Sequence, residues 1–311
     1  MNEFEAVVLS GTGGVWTVLA DSGERHDAAL RGRLKQDGNA KLAVGDRVAV
    51  ERDASDVNAA WAITTIHPRK SKLARRAPSG ARGERIVAAN IDQVVVVFAA
   101  AKPEPHVRML DRFLVIAEGN DLTARIVINK VELVEPAVVD ALVAPYERAG
   151  YVVHRTSVKQ RLGLDELHEA LAGRTSALSG PSGVGKSSLL NAMYPELTLR
   201  IGEISESVNK GRHTTVGAVL IPLTDPSGGF VADTPGLREV GLWGMPPEDL
   251  DRCFPEFRPV LGSCKYQDCS HDHEPSCAVR AAVDRGDVSA ARYESYLKLL
   301  SDLPDPSNTW D

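Results

Sequence analysis

The sequence lacks any apolar run near the ~20 residues that a bilayer-spanning helix needs, and its start, Met1-Asn2-Glu3-Phe4-Glu5, has no basic segment leading into an apolar one. No membrane partner and no secretory leader are expected, and the protein should be soluble and cytoplasmic. Positive charge is not in excess either. The formal net charge is −6, so any contact with nucleic acid has to come from local basic patches. Cysteine is scarce, with four residues in the chain, and three of them (Cys264, Cys269, Cys277) crowd into one short stretch. Such crowding fits metal ligands in a reducing compartment better than a disulfide framework. What the chain does have is length and apolar content: 311 residues, 43% of them hydrophobic, suit two or three domains.

The stretch that organises the chain is Gly180-Pro181-Ser182-Gly183-Val184-Gly185-Lys186-Ser187, set between a short apolar strand pattern from Thr175 and a helix-forming one, with Ser188 next to the loop among the candidate nucleotide-binding residues. Glycines at these positions let backbone N–H groups turn inward around phosphate oxygens, and the following helix points its positive end at the anion. Lys186 can neutralise the β- and γ-phosphates, and the Ser187 hydroxyl can ligate Mg²⁺. Further along, Asp233-Thr234-Pro235-Gly236 follows the apolar run Gly229-Phe230-Val231-Ala232, so Asp233 can hold the Mg²⁺ shell and the Gly236 N–H can face a γ-phosphate. Between the two, Lys210-Gly211-Arg212-His213-Thr214-Thr215 offers a threonine as a second Mg²⁺ ligand, with Thr215 preferred over Thr214.

A fourth stretch, Asn129-Lys130-Val131-Glu132, stands at a strand end before a helix. In guanine-nucleotide proteins an Asn-Lys-x-Asp loop reads the base: the carboxylate accepts from the ring N–H and the exocyclic amine, while Lys and Asn brace the pocket. Here the acid is Glu132, which keeps the charge and adds one methylene. Ser157, after the strand pattern Tyr151–Thr156, fits the last and weakest element of such a site. Base loop and Ser157 precede the phosphate loop, whereas ordinary GTPases run in the opposite order. The order is that of a circular permutation, which an open sheet tolerates because its strands can be reconnected while the ligand-facing loops stay in place.

Around this centre the chain reads in three further pieces. Residues 1–68 show short alternating strands at Glu5–Ser10, Val15–Ala20, Asp46–Glu51 and Ala60–Ile66, with a charged loop through Arg31 to Lys41. They suit a small β-barrel such as an oligonucleotide-binding OB-fold, although any small barrel would have the same pattern. Residues 69–85 form a basic linker. From His67 to Arg85 there are seven Lys/Arg against one Glu, either a solvated connector or an arm for phosphates. Residues 86–243 alternate strand and helix: strands at Ile91–Phe98, Ala124–Asn129 and Tyr151–Thr156, helices at Val107–Glu118, Pro136–Ala149 and Leu164–Ala172. That alternation implies a parallel sheet with helices on both faces, whose ligand sits at the carboxyl ends of the strands. Residues 244–311 carry Cys264, Cys269, His271 and Cys277, enough for one closed tetrahedral Zn²⁺ of structural role, with His273 as the alternative imidazole and Cys253 outside the cluster. A helix is expected over Val283–Leu303.

The permuted motif order, the barrel before it and the cysteine cluster after it together resemble the ribosome small-subunit-dependent GTPases of the RsgA (YjeQ) family. The resemblance rests on Gly180 to Ser187, Gly211-Arg212-His213-Thr214-Thr215, Asp233 to Gly236, and the cysteine cluster. It implies an α/β fold: a circularly permuted P-loop GTPase domain with an N-terminal OB-fold barrel and a C-terminal, mainly helical zinc-binding domain. It also implies a monomer that hydrolyses GTP with Mg²⁺ and assists late maturation of the small ribosomal subunit, stimulated by that subunit and touching its rRNA. Leu237 stands where many GTPases place a water-orienting glutamine, and His213 is the candidate to take that part beside Lys186. A metabolic P-loop kinase would need an acceptor pocket and an arginine-rich lid. A pure RNA-binding scaffold would not need Lys186, Ser187 and Asp233 intact.

Overall fold

A computed structural model of the chain describes residues 3–31, 42–52, 60–76, 84–197, 218–233 and 245–303. Five strands, β1 (Glu3–Thr12), β2 (Val15–Ala20), β3 (Arg25–Leu30), β4 (Arg47–Glu51) and β5 (Trp61–Ile66), close into a barrel in the order β1-β2-β3-β5-β4. This is the OB-fold arrangement, with β3 and β5 parallel. Period-two alternation turns Ala6, Val8, Val18, Ala28, Val48, Val50 and Ile63 inward, where all are buried. A bulge between Val8 and Ser10 then turns Leu9 out of the barrel and into the core of the neighbouring α/β unit. Strand β3 lies in a stretch not read as a strand. Its sequence, Arg-His-Asp-Ala-Ala-Leu, has no β-branched residue, and its pairing partners hold it in place.

The stretch expected as a basic linker is in part paired. Strands β6 (Lys72–Arg76) and β7 (Glu84–Ala89) form an antiparallel hairpin that buries Leu73 and Ala88 completely. Just before it, Arg69 donates from Nε and Nη2 to the two oxygens of Asp46, at 2.6 and 2.7 Å, and Asp46 is fully buried. An arginine was therefore spent on fixing barrel to hairpin, which a count of basic residues does not reveal.

The central sheet has six strands in the order β10-β9-β8-β11-β13-β12, formed by β8 (Gln93–Ala99), β9 (Thr123–Asn129), β10 (Val152–Arg155), β11 (Thr175–Ser179), β12 (Val219–Pro222) and β13 (Phe230–Asp233). All are parallel except β12. Buried on both faces, β8 is a continuous apolar run, as parallel strands are. Val94, Val96 and Phe98 face α1 (Val107–Glu118) and α2 (Pro136–Arg148). Val95, Val97 and Ala99 face α3 (Leu164–Leu171) and α4 (Lys186–Met193).

The C-terminal unit consists of short 3-10 turns followed by α5 (Ala278–Arg285) and α6 (Ala290–Asp302). The single helix expected over Val283–Leu303 is thus two. Gly286 ends α5 in the left-handed conformation at φ +82°, and Ser289 stands at the start of α6. Leu250, Phe254, Phe257, Tyr296 and Leu299 join the same apolar core as α1 and α2, so this unit is packed onto the sheet domain. Among the described residues no helix is long and apolar enough to cross a membrane.

Candidate nucleotide and metal sites

Because β8, β9, β10, β11 and β13 run parallel, their carboxyl ends lie along one edge of the sheet, and every described motif residue falls there. Ser179 ends β11 and leads into the glycine loop, whose last glycine, Gly185, precedes α4 at φ +99°. Gly180 has φ +136°, and a methyl group on it would stand 2.0 Å from the Val97 carbonyl oxygen, so only glycine lets the loop leave the sheet this closely. Lys186 and Ser187 are nearly buried at the first turn of α4. The Lys186 ammonium donates to the carbonyls of Gly180 at 2.9 Å and Pro181 at 2.7 Å. Its charge is thus held over the loop in which a phosphate would sit. Ser182 and Gly183 are exposed at the tip, Val184 is buried beneath it, and Ser188 is half-buried. Asp233 ends β13 and pairs in register with Leu178 of β11, one strand across from the phosphate loop.

The base loop is joined to the phosphate loop by side chains. Asn129, 2% exposed, donates from Nδ2 to the Val184 carbonyl at 2.9 Å and accepts from the Thr156 hydroxyl at 3.2 Å. Lys130, in the left-handed conformation at φ +60°, donates to the carbonyls of Gly183 at 2.6 Å and Lys102. Val131 and Glu132 follow in a single 3-10 turn, Val131–Leu133. Glu132 Oε2 is buried and has no hydrogen-bond partner among the described residues. An acceptor so placed is free, among the described residues, to take a donor. Ser157 is fully buried; its backbone exchanges hydrogen bonds with Leu162 at 3.0 Å each way, and its hydroxyl accepts from the Gln160 N–H at 3.0 Å. His213, Thr214, Thr215 and Gly236 lie outside the described residues.

Two contributors escaped the sequence reading. Thr156 orients Asn129, and the β8–α1 loop supplies the Lys102 carbonyl and sets the Pro103 ring beside Gly183. Neither belongs to a motif, so nothing in the local sequence points to them.

Some distance away in the C-terminal unit, Cys264, Cys269, His271 and Cys277 bring four ligand atoms within 4.8 Å of one another. His271 turns Nδ1 toward Cys264 and Cys277, at 3.6 and 3.4 Å, and Nε2 toward Asp251, at 3.2 Å. A carboxylate behind a ligating imidazole fixes the ring's tautomer and orientation. Burial opposes charge on His271, yet the Asp251 and Cys277 hydrogen bonds outweigh it and lift the imidazole to about 9. Backbone N–H groups of Ala278 and Arg280 reach the sulfurs of Cys264 and Cys277. Tyr293 and Tyr296 hold the connecting loop through the carbonyls of His271 and Ser270. The alternative imidazole, His273, is 82% exposed and beside Asp272, outside the cluster. Three sulfurs and one nitrogen fit a closed tetrahedral metal site.

A family model described as RsgA GTPase matches residues 66–243. A small ribosomal subunit biogenesis GTPase RsgA from Gemmatimonas aurantiaca is 62% identical over 299 residues, 96% of this chain and 96% of that protein. One of the same name from Chromohalobacter salexigens is 42% identical over 285 residues, 90% of this chain and 79% of that protein. Among solved structures the chain is similar to YjeQ from Thermotoga maritima, with a TM-score of 0.74 and 34% identity over 96% of this chain and 98% of that one. It is also similar to YloQ, described as a circularly permuted GTPase, with a TM-score of 0.74 and 28% identity over 96% of this chain and 94% of that one.

Proposed function

Because the chain belongs to the RsgA GTPase family, we propose that it hydrolyses GTP to GDP and phosphate in the biogenesis of the small ribosomal subunit, and that binding to the subunit stimulates the reaction. The observation that carries the reading is the pair of loops joined through Asn129 and Lys130, with beside them a Glu132 oxygen that has no partner among the described residues. Guanine offers two donors on one edge and adenine does not, so Glu132 reads guanine. Asn129, Lys130, Val131 and Ser157 brace the base, and the loop from Gly180 to Ser188, with the Gly236 N–H, holds the phosphates.

Mg²⁺ bound with GTP or GDP neutralises charge on the phosphate oxygens, and Ser187, Thr215 and Asp233 are the residues to hold it. Lys186 turns from its loop carbonyls to the β- and γ-phosphates, exchanging two hydrogen bonds for stronger ones to an anion. His213 orients the attacking water in place of the missing glutamine once its segment is held against the γ-phosphate. One structural Zn²⁺ occupies Cys264, Cys269, His271 and Cys277, the S₃N donor set it favours. The functional pieces are the barrel at 1–68, the basic stretch at 69–85, the GTPase domain at 86–243 and the zinc domain at 244–311. The barrel, the basic stretch and the zinc domain contact rRNA, and the protein works as a monomer in the cytoplasm.

Displacement of labelled GDP by ADP, and turnover with and without purified small subunits, test the reading together. GDP should be preferred, and Glu132→Gln should weaken it by at least about tenfold, since an amide turns a donor toward donors. Equal displacement by ADP overturns the base assignment, and a rate indifferent to small subunits overturns the functional one.

A further inference from the structure

Outside the nucleotide edge and the metal cluster, the most unusual group among the described residues is Arg292 on α6. Its side chain is 1% exposed and lies between two carboxylates, Asp111 on α1 and Glu256, themselves 0% and 7% exposed. It donates from Nη1 to Asp111 Oδ1 at 2.5 Å, and from Nε and Nη2 to the oxygens of Glu256 at 2.7 and 3.2 Å. The guanidinium carbon lies 4.6 Å from the ring centre of Phe254, 5.3 Å from that of Tyr146 and 5.8 Å from that of Tyr151. Three charges have been taken out of water where the C-terminal unit meets the GTPase domain. Buried triads of this kind can be replaced by apolar side chains with little or no loss of stability, so stability alone does not account for one; in some proteins such charges select one packing geometry.

The helix that Arg292 grips is the one best placed to use such a geometry. At its N-terminal end, α1 follows the loop whose Lys102 carbonyl accepts from Lys130 and whose Pro103 flanks Gly183, joining base loop and phosphate loop. At its C-terminal end, Gly119 is packed by Met245, where the chain returns after the segment that follows Asp233. Arg108 and Glu118 on α1 make further ion pairs, to Asp302 and Arg258 of the C-terminal unit. One face of α1 is thereby fixed to that unit along its whole length.

We propose that Arg292 is a positioning residue for GTP turnover: by gripping Asp111 it holds the metal-bearing unit in one orientation on α1, so that contacts of this unit with the small subunit reach Lys130 and Gly183 through α1 and the Lys102–Pro103 loop. The inference rests on the functional reading above. It is tested by single-turnover GTP hydrolysis of the full chain, with and without saturating small subunits. Two variants are compared with the parent: Arg292→Lys, and the apolar triple Asp111→Leu, Glu256→Met, Arg292→Met.

The triple variant should keep its thermal midpoint, its metal content, its half-saturating subunit concentration and its unstimulated rate, while the stimulated rate falls by about tenfold. Arg292→Lys should lose stimulation too, since an ammonium cannot grip two carboxylates in a fixed plane. A purely structural role predicts the reverse, with stimulation intact in every variant that folds, and that outcome overturns the proposal. An unstimulated parent would instead overturn the functional reading. Should the variants not fold, hydrogen exchange of the unsubstituted protein decides: amides of residues 100–118 must gain protection on subunit binding, and unchanged exchange there overturns the proposal.

Discussion

Replacing Gly180 by alanine puts a methyl group 2.0 Å from the Val97 carbonyl oxygen, 3.0 Å from its carbon and 3.3 Å from its nitrogen. Val97 belongs to β8, which is paired on both sides and buried throughout, so it cannot retreat. The phosphate loop must move instead. A carbon and an oxygen rest at roughly 3.3–3.6 Å, so the displacement exceeds about 1 Å. Two costs combine. An L-residue at the φ of +136°, outside the left-handed helical well, costs about 1–3 kcal/mol. The shift also pulls the Gly180 and Pro181 carbonyls from the Lys186 ammonium, and each such bond to a charged group is worth about 1.5–3 kcal/mol, of which a relaxed loop recovers part. The expected loss is about 3–5 kcal/mol, with GDP binding weakened at least about tenfold because the donors move off their anion. Gly228→Ala is the matched control: its φ is +70° but nothing lies within 4 Å of the added methyl group, so about 1–2 kcal/mol and unchanged GDP affinity are expected. Urea denaturation and GDP titration of both variants give the comparison. Equal effects at the two positions would refute the reasoning, since they differ in the contact with Val97.

In the C-terminal unit, Cys269→Ser should remove the metal and the protease resistance of residues 245–303 while leaving GDP binding intact. Asp251→Asn should keep the metal but weaken it by about 10–100-fold in a chelator competition, and full metal content in the cysteine variant would refute the assignment. His213→Ala should retain GTP binding and lose the subunit-stimulated rate in single-turnover hydrolysis; an unaltered stimulated rate removes His213 from the mechanism.

Sequence pattern located most elements where burial forces a clean period. The helix read at Val107–Glu118 has those bounds in the structure, and the strand read at Ile91–Phe98 is β8, which starts two positions later, at Gln93, and ends one later, at Ala99. Strand β3 escaped because its partners, not its own residues, make it a strand, and the C-terminal helix was read as one because apolar periodicity continues past Gly286. At the sites, what lies together in sequence was legible and what only folding brings together was not. Asp251 stands 20 positions from His271, Thr156 stands 27 from Asn129, and Arg292 stands 181 from Asp111.

The order of motifs also sets a timetable for synthesis. Gln93 on β8 hydrogen-bonds Ser176 on β11, 83 positions later, while β9, its neighbour on the other side, follows directly after α1. At roughly 5–20 residues per second, about 4–17 s pass between the emergence of these two residues from the ribosome. Throughout that interval one edge of β8 offers unpaired N–H and C=O groups on a strand that is apolar from Val94 to Ala99, a combination prone to wrong pairing. A GTPase that begins with its phosphate loop has its central strand from the outset. In this chain the half that carries Asn129 to Glu132 has to wait, half-built, for the strand that completes it.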